Sequence, residues 1–429
     1  MSEFIAITGG RRLSGNVSPS GAKNAALPLL FSSILTREEC LIENVPDLDD
    51  ISVSLRLLAS LGAETSLNDK IARVRLHEIR AQVAPYHLVK ALRASFLVLG
   101  PLVARTGAAQ VSLPGGDAIG FRPVDLHLRG LARMGADIRM RHGVVYATAP
   151  GGLRPTELEL DYPSVGATEH LLMTAAGIQG ETVIRGAACE PEIGELASCL
   201  STMGALVEGV GTPILRIVGR KELGGGRVRV KGDRIEAATY LFAGAITGGE
   251  LTVTGVESQA LGSILNVLRE SGCTVATNDS TIELRAPERL SPVSVNTAPF
   301  PGFATDAQPL LMAAMTQGSG TSTITETVFE NRFGHVAEFR RLGAEIELNG
   351  EVARVSGVRT LTGAPVEAGD IRGAAGLALL GLVAEGTTRI FETQHLARGY
   401  ENFVDKLKQL GADISRVRVV GNDEIVLGC

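Results

Sequence analysis

Apolar residues gather in six nearly unbroken runs, at 24–35, 92–104, 167–177, 235–246, 307–316 and 373–383. Each run is apolar on almost every face, which predicts helices packed inside a domain instead of lying on its surface. Short β-branched segments follow, as at 182–184, 251–253 and 321–324, and predict strands. Amphipathic segments such as 193–203 and 403–410 then predict surface helices. Six small-residue turns recur between such helices and the next strand: Leu61-Gly62-Ala63-Glu64, Met134-Gly135-Ala136-Asp137, Met203-Gly204-Ala205-Leu206, Ser271-Gly272-Cys273-Thr274, Leu342-Gly343-Ala344-Glu345 and Leu410-Gly411-Ala412-Asp413. Their glycines lie 73, 69, 68, 71 and 68 residues apart. A missing Cβ permits the left-handed conformation that ends a helix. Thr274–Thr277 and Thr281–Arg285 flank the turn residues Asn278-Asp279-Ser280, so a hairpin is expected to close the unit. The pattern predicts an α/β chain with mixed sheets, in which one unit of about 70 residues is copied six times.

Composition narrows the partners. With 429 residues the chain is long enough for two or three domains, and 45% apolar residues are ample for their cores. Aromatic residues are 4% and Trp is absent, which argues against a base-stacking surface. The net charge is −6 with Lys and Arg dispersed, so neither nucleic acid nor an anionic membrane is an expected partner. Five cysteines (Cys40, Cys189, Cys199, Cys273, Cys429) lack paired metal spacing and read as reduced thiols in a cytoplasmic protein. The apolar runs fall short of a membrane span.

A repeat makes scattered charges comparable, because corresponding residues occupy corresponding places. The informative places are the starts of the buried helices, where unpaired N–H groups and a positive dipole end collect. They carry Ser20-Gly21-Ala22-Lys23-Asn24, Arg93-Ala94-Ser95, Ser164-Val165-Gly166-Ala167-Thr168, Asp233-Arg234-Ile235-Glu236, Thr305-Asp306-Ala307-Gln308 and Asp370-Ile371-Arg372. Loops ahead of the second helices add Gly115-Gly116-Asp117 through Arg122-Pro123, Glu330-Asn331-Arg332-Phe333 and Arg398-Gly399-Tyr400. A cation at a helix start opposes the dipole unless an anion binds there. Lys23, Arg93, Arg234 and Arg372 together therefore suggest a polyanionic ligand. Each also has a plainer role: any Arg here could serve a salt bridge, Asp233 and Asp370 could be N-caps, and Asp306 a first-turn carboxylate. His127 and His335 read as ordinary helix residues. No phosphate loop, dinucleotide fingerprint, zinc motif or nucleophile elbow occurs. Basic clamps without a metal or a redox cofactor suggest group transfer on a phosphorylated substrate.

These motifs resemble the UDP-N-acetylglucosamine 1-carboxyvinyltransferase family of enolpyruvyl transferases. The residues that carry the likeness are Ser20-Gly21-Ala22-Lys23-Asn24, Pro114-Gly115-Gly116-Asp117, Arg122-Pro123-Val124-Asp125-Leu126-His127, Ser164-Val165-Gly166-Ala167-Thr168, Thr305-Asp306, Phe329-Glu330-Asn331-Arg332-Phe333 and Arg398-Gly399-Tyr400. The resemblance implies two inside-out α/β barrels of three units each. One would comprise residues 23–231, and the other residues 1–22 plus 232–429. It further implies addition of a sugar hydroxyl to phosphoenolpyruvate and loss of phosphate, at the first committed step of peptidoglycan precursor synthesis, with no cofactor or metal. A cleft closing over the substrates would exclude water. By resemblance, Lys23, Arg122 and Arg398 clamp the phosphate, Arg332 and Arg372 hold the carboxylate, and Asn24 contacts substrate. Asp306 would take or orient the hydroxyl proton. Arg93, Arg122, Pro123, Val124, Asp125, Leu126, Ser164, Val165, Gly166 and Val328 are similar to contacts of the sugar nucleotide.

Two positions depart from the family: Ala397, where the family often has Asp, and Asp117, which bears on the chemistry. Asp117 stands where the family usually has Cys, the proton donor and the nucleophile alkylated by fosfomycin. A free Asp, with a pKa of about 3.9, is ionised at neutral pH, so an acid role requires a raised pKa when the loop closes. The departure implies an active enzyme insensitive to fosfomycin. Two other readings stand beside this one: an enolpyruvyl transferase for another acceptor, such as shikimate 3-phosphate or a nucleotide, and a sugar-nucleotide binder that has lost catalysis.

Overall fold

The computed structural model describes residues 3–115, 119–120, 123–420 and 423–427. Two compact units emerge. Among the described residues, the middle unit holds 21–115 and 123–231; the terminal unit holds 3–20, 119–120, 232–420 and 423–427.

Six sheets follow the six repeats, five of four strands and one of five. In the plainest copy Gly180–Arg185 is central, with Glu157–Glu159 parallel on one side and Ile214–Gly219 antiparallel on the other; Leu206–Glu208 completes the sheet. The predicted hairpin of Thr274–Thr277 and Thr281–Arg285 forms with those bounds. Strand burial alternates: in Ile71–Arg75, Ala72 and Val74 are buried while Arg73 and Arg75 are exposed. That period of two turns one face of each sheet inward and leaves the other in water.

The inward faces cover helices. In the middle unit Lys23–Ser32, Leu99–Thr106 and Val165–Ala176 pack together; in the terminal unit Arg234–Ile246, Gln308–Met315 and Ile371–Gly381 do so. All 13 residues of Arg234–Ile246 but the first are buried. Helices lie inside and sheets outside, the inversion that six all-round apolar runs demand. One run differs from its sequence reading: 92–104 begins as a 3-10 turn, Arg93–Val98, and becomes α-helical only at Leu99. Pro101 has no N–H to donate to Leu97, which weakens an α-helical start there.

Gly62, Gly135, Gly204, Gly272, Gly343 and Gly411 all have φ between 92° and 111°. The left-handed helix ending read from the sequence thus recurs at all six copies. No helix among the described residues is long and apolar enough to cross a membrane.

Candidate active site

The terminal unit gathers its candidate residues around one carboxylate. Asp306 lies in the 3-10 turn Thr305–Ala307 that leads into Gln308–Met315. Arg332 is supplied by the loop before Val336–Arg341, and Arg372 is the second residue of Ile371–Gly381. Arg332 Nη2 donates to Asp306 Oδ1 at 3.0 Å, and Arg372 Nε and Nη2 donate to Oδ2, each at 3.2 Å. Both guanidiniums are buried, 1% and 4% exposed, whereas Asp306 remains partly open. Asp370 is an N-cap, as its plainer reading has it: Oδ1 accepts from the N–H of Arg372 (2.9 Å) and Gly373 (3.1 Å). The same oxygen takes Arg332 Nη1 at 3.4 Å, so the cap also anchors the cluster.

Arg372 lies over the Tyr400 ring, 5.3 Å from its centroid, and Tyr400 OH meets Thr239 Oγ1 at 2.9 Å. Glycine permits this approach. A Cβ on Gly399 would stand 2.3 Å from Ile371 Cγ2, so only a bare Cα lets the segment of Arg398 and Tyr400 close on that helix. Arg398 is half-buried at the end of the short helix Gln394–Ala397. Asp233 caps its helix through the N–H groups of Ile235 and Glu236, and Arg234 sits over the Phe300 ring at 5.9 Å.

The middle unit holds the rest. Lys23 opens its helix without a side-chain cap and is 7% exposed; its Nζ donates to Asp50 Oδ2 at 3.0 Å. Asp50 belongs to the first turn of Asp49–Leu61, where a carboxylate suits the dipole. Asn24 is exposed although its neighbours in the helix are buried. Gly21 has no room for a side chain, since a Cβ would fall 1.9 Å from the Asn44 carbonyl oxygen. Ser164 caps Val165–Ala176 by accepting from Ala167 N at 3.3 Å, which places Val165 and Gly166 in the first turn. Arg93 starts its 3-10 turn. Pro123 and Asp125 are exposed, Val124 is buried, and Leu126 is partly buried at the start of Asp125–Arg133. Asp117 and Arg122 lie outside the described residues.

Sequence reasoning found the capping aspartates, yet it missed Asp50 as the partner of Lys23. It also missed a buried network: Lys406 Nζ bonds Ser20 Oγ (2.7 Å) and Glu236 Oε1 (2.5 Å), and Ser20 Oγ donates to Glu401. Burial raises the Glu236 carboxyl pKa, and Lys406 opposes that rise. The only early signal for Asp50 was the pair of acids at a helix start.

Three imidazoles are buried and unlike ordinary helix histidines. Burial pushes His170 down to about 3 and His335 down to about 4, and lowers His127 well below the usual histidine range with help from His170 and Arg93. His170 Nε2 accepts from Gly100 N at 2.7 Å, so the neutral ring is the one the fold uses. Each group is neutral in the folded chain but takes a proton in the unfolded chain below about pH 6.5. Their stabilisation is complete above that pH and is lost as pH falls toward 4 and then 3. The three histidines are expected to lower the urea midpoint between pH 6.5 and 4, against the buried carboxyls of Glu169 and Glu236, whose raised pKa values act the other way; a His170→Asn variant whose pH profile matches wild type would contradict the assignment.

Comparison with known proteins identifies the arrangement. A sequence model of the family described as EPSP synthase (3-phosphoshikimate 1-carboxyvinyltransferase) matches residues 7–407. The UDP-N-acetylglucosamine 1-carboxyvinyltransferase of Desulfosudis oleivorans is 49% identical over 413 residues, covering 96% of this chain and 99% of the relative. That of Trichlorobacter lovleyi is 47% identical with the same coverage. Among solved structures, the enolpyruvyl transferase NikO from Streptomyces tendae superposes with a TM-score of 0.88 at 28% identity, covering 97% of this chain and 99% of that one. Matched along nearly its whole length in sequence and in fold, the chain belongs to the EPSP synthase family of enolpyruvyl transferases.

Proposed function

We propose that the chain transfers the enolpyruvyl group of phosphoenolpyruvate to the 3-hydroxyl of UDP-N-acetylglucosamine, releasing phosphate. The observation that carries this reading is identity of 47–49% across 96% of the chain to relatives bearing that activity in their names. In the addition step the sugar oxygen bonds to C2 of phosphoenolpyruvate, the hydroxyl proton leaves, and the methylene carbon gains a proton. In the elimination step that carbon loses a proton and the C2–O bond to phosphate breaks. The product is an enol ether and inorganic phosphate.

The residues divide by chemistry. Lys23, Arg122 and Arg398 supply charge to the phosphate, which leaves as an anion. Arg332 and Arg372 serve the carboxylate. Arg372 spends Nε and Nη2 on Asp306 and lies over the Tyr400 ring. Asp306, held at both oxygens, takes or orients the hydroxyl proton, and Asn24 contacts the substrate. Arg93, Arg122, Pro123, Val124, Asp125, Leu126, Ser164, Val165, Gly166 and Val328 hold the sugar nucleotide. Asp117 is the proton donor in place of Cys. The enzyme works in the cytoplasm on soluble substrates.

The test is phosphate release from phosphoenolpyruvate with UDP-N-acetylglucosamine, alongside shikimate 3-phosphate as a second acceptor and a sample preincubated with fosfomycin. Release that depends on the sugar nucleotide and persists in the drug is expected, because a carboxylate lacks the nucleophilicity of a thiolate toward an epoxide. Release with shikimate 3-phosphate alone would replace the acceptor. Rapid covalent labelling at Asp117 would end the claim of insensitivity. Ligand binding without any turnover would favour the non-catalytic binder.

A further inference from the structure

Glu326 follows the strand Thr321–Thr325 and is 2% exposed. Its Oε1 accepts three hydrogen bonds, from Thr297 Oγ1 at 2.9 Å, Val328 N at 2.9 Å and Phe329 N at 3.1 Å. Its Oε2 accepts from Thr305 Oγ1 at 3.0 Å. Thr297 is fixed in turn, because its Oγ1 accepts from Thr327 N at 2.9 Å and its carbonyl from Thr327 Oγ1 at 2.6 Å. One side chain thus ties together a strand end, the segment around Thr297, the turn that carries Asp306, and the loop that carries Val328.

All four donors are neutral. A buried carboxylate without a cation among its hydrogen-bond partners gives up its hydration, and only a full set of directed donors repays that loss. An uncharged acceptor would staple a loop at less expense. Three of the four donors converge on Oε1, so one oxygen aims them all at a single point. Residue 305 is consequently held twice, by Glu326 at its hydroxyl and by Arg332 Nε, which reaches its carbonyl at 3.4 Å. Asp306 is presented from that doubly held residue.

We infer that Glu326 is a positioning residue for the transfer reaction, setting Asp306 through Thr305 and the sugar-nucleotide contact Val328 through the loop backbone. The inference rests on the function proposed above. It makes the two arms separable, because Thr305 serves only the first and the amides of Val328 and Phe329 only the second.

Steady-state kinetics of the full chain would test it with three variants. Glu326→Ala is expected to lower kcat at least tenfold and to raise KM for UDP-N-acetylglucosamine at least tenfold, with a change in KM for phosphoenolpyruvate at least fivefold smaller. Glu326→Gln should restore kcat to within about threefold, since Oε1 is kept and the amide can donate to a rotated Thr305 hydroxyl. Thr305→Val should lower kcat at least fivefold while KM for the acceptor stays within twofold. If Glu326→Ala does not fold, the split in Thr305→Val and the rescue in Glu326→Gln carry the test. Glu326→Ala and Thr305→Val variants that keep kcat and both KM values within twofold of wild type, whatever their melting temperatures, would overturn the positioning role. Wild-type protein without turnover on UDP-N-acetylglucosamine would instead count against the proposed function.

Discussion

Asp306→Asn is expected to cut kcat by about a thousandfold or more while leaving the affinity for UDP-N-acetylglucosamine within about tenfold. The size follows from general acid–base catalysis, which contributes roughly 10²–10⁴ in rate. Asn has the shape of Asp but accepts no proton, and its amide presents N–H groups to one of two buried guanidiniums. Arg332 keeps its bond to Asp370, so the loop it anchors survives. Arg372 loses more, because its Nε and Nη2 bonds both end on Asp306 Oδ2. Calorimetric titration with the sugar nucleotide separates binding from chemistry. Turnover within tenfold of wild type would remove Asp306 from the mechanism.

Lys23→Met is expected to lower turnover at least a hundredfold and also to destabilise the protein. Breaking one side of a buried ion pair typically costs about 3–5 kcal/mol, and the Lys23 and Asp50 side chains are only 9% and 4% exposed. The two effects can be parted. In the double variant Lys23→Met/Asp50→Asn the buried carboxylate charge is gone as well, so most of the lost stability should return. Turnover should not return if Lys23 has the proposed role, because the phosphate would still lack its ammonium. Recovery of turnover with stability would make Lys23 a structural residue. The contrast matters because Lys23 opposes its own helix dipole, a placement that either an anion or Asp50 can explain.

Much of this molecule is local, and what is local was legible. The six glycine turns, the six buried helices and the capping aspartates depend on neighbours within a few residues, where apolar period and side-chain chemistry speak directly. The start of the run at 92–104 misled because Pro101 acts on its own turn against an otherwise helical pattern. The pairings of the candidate site are a different kind of fact. Arg332 meets Asp306, Asp370 meets Arg332, and Asp306 meets Arg372 across 26, 38 and 66 residues. Such distances are set by how one repeat packs on the next, and no periodicity reports that. Glu326 was silent for the same reason: a single acid after a strand reads as a surface residue until its four donors are seen.

The strand Glu3–Thr8 lies in the middle of the five-stranded sheet, between Thr387–Phe391 and Asp413–Val420. Both partners lie far along the chain, Thr387 following Thr8 by 379 residues. On the ribosome the segment Phe4-Ile5-Ala6-Ile7 therefore waits for about 380 further residues to be translated, about 20–80 s at about 5–20 residues per second. The middle unit, with its own core, is complete well before those partner strands emerge. Synthesis thus leaves an apolar strand with open edges on the nascent chain, the kind of segment that chaperones shield and that pairs wrongly when they do not.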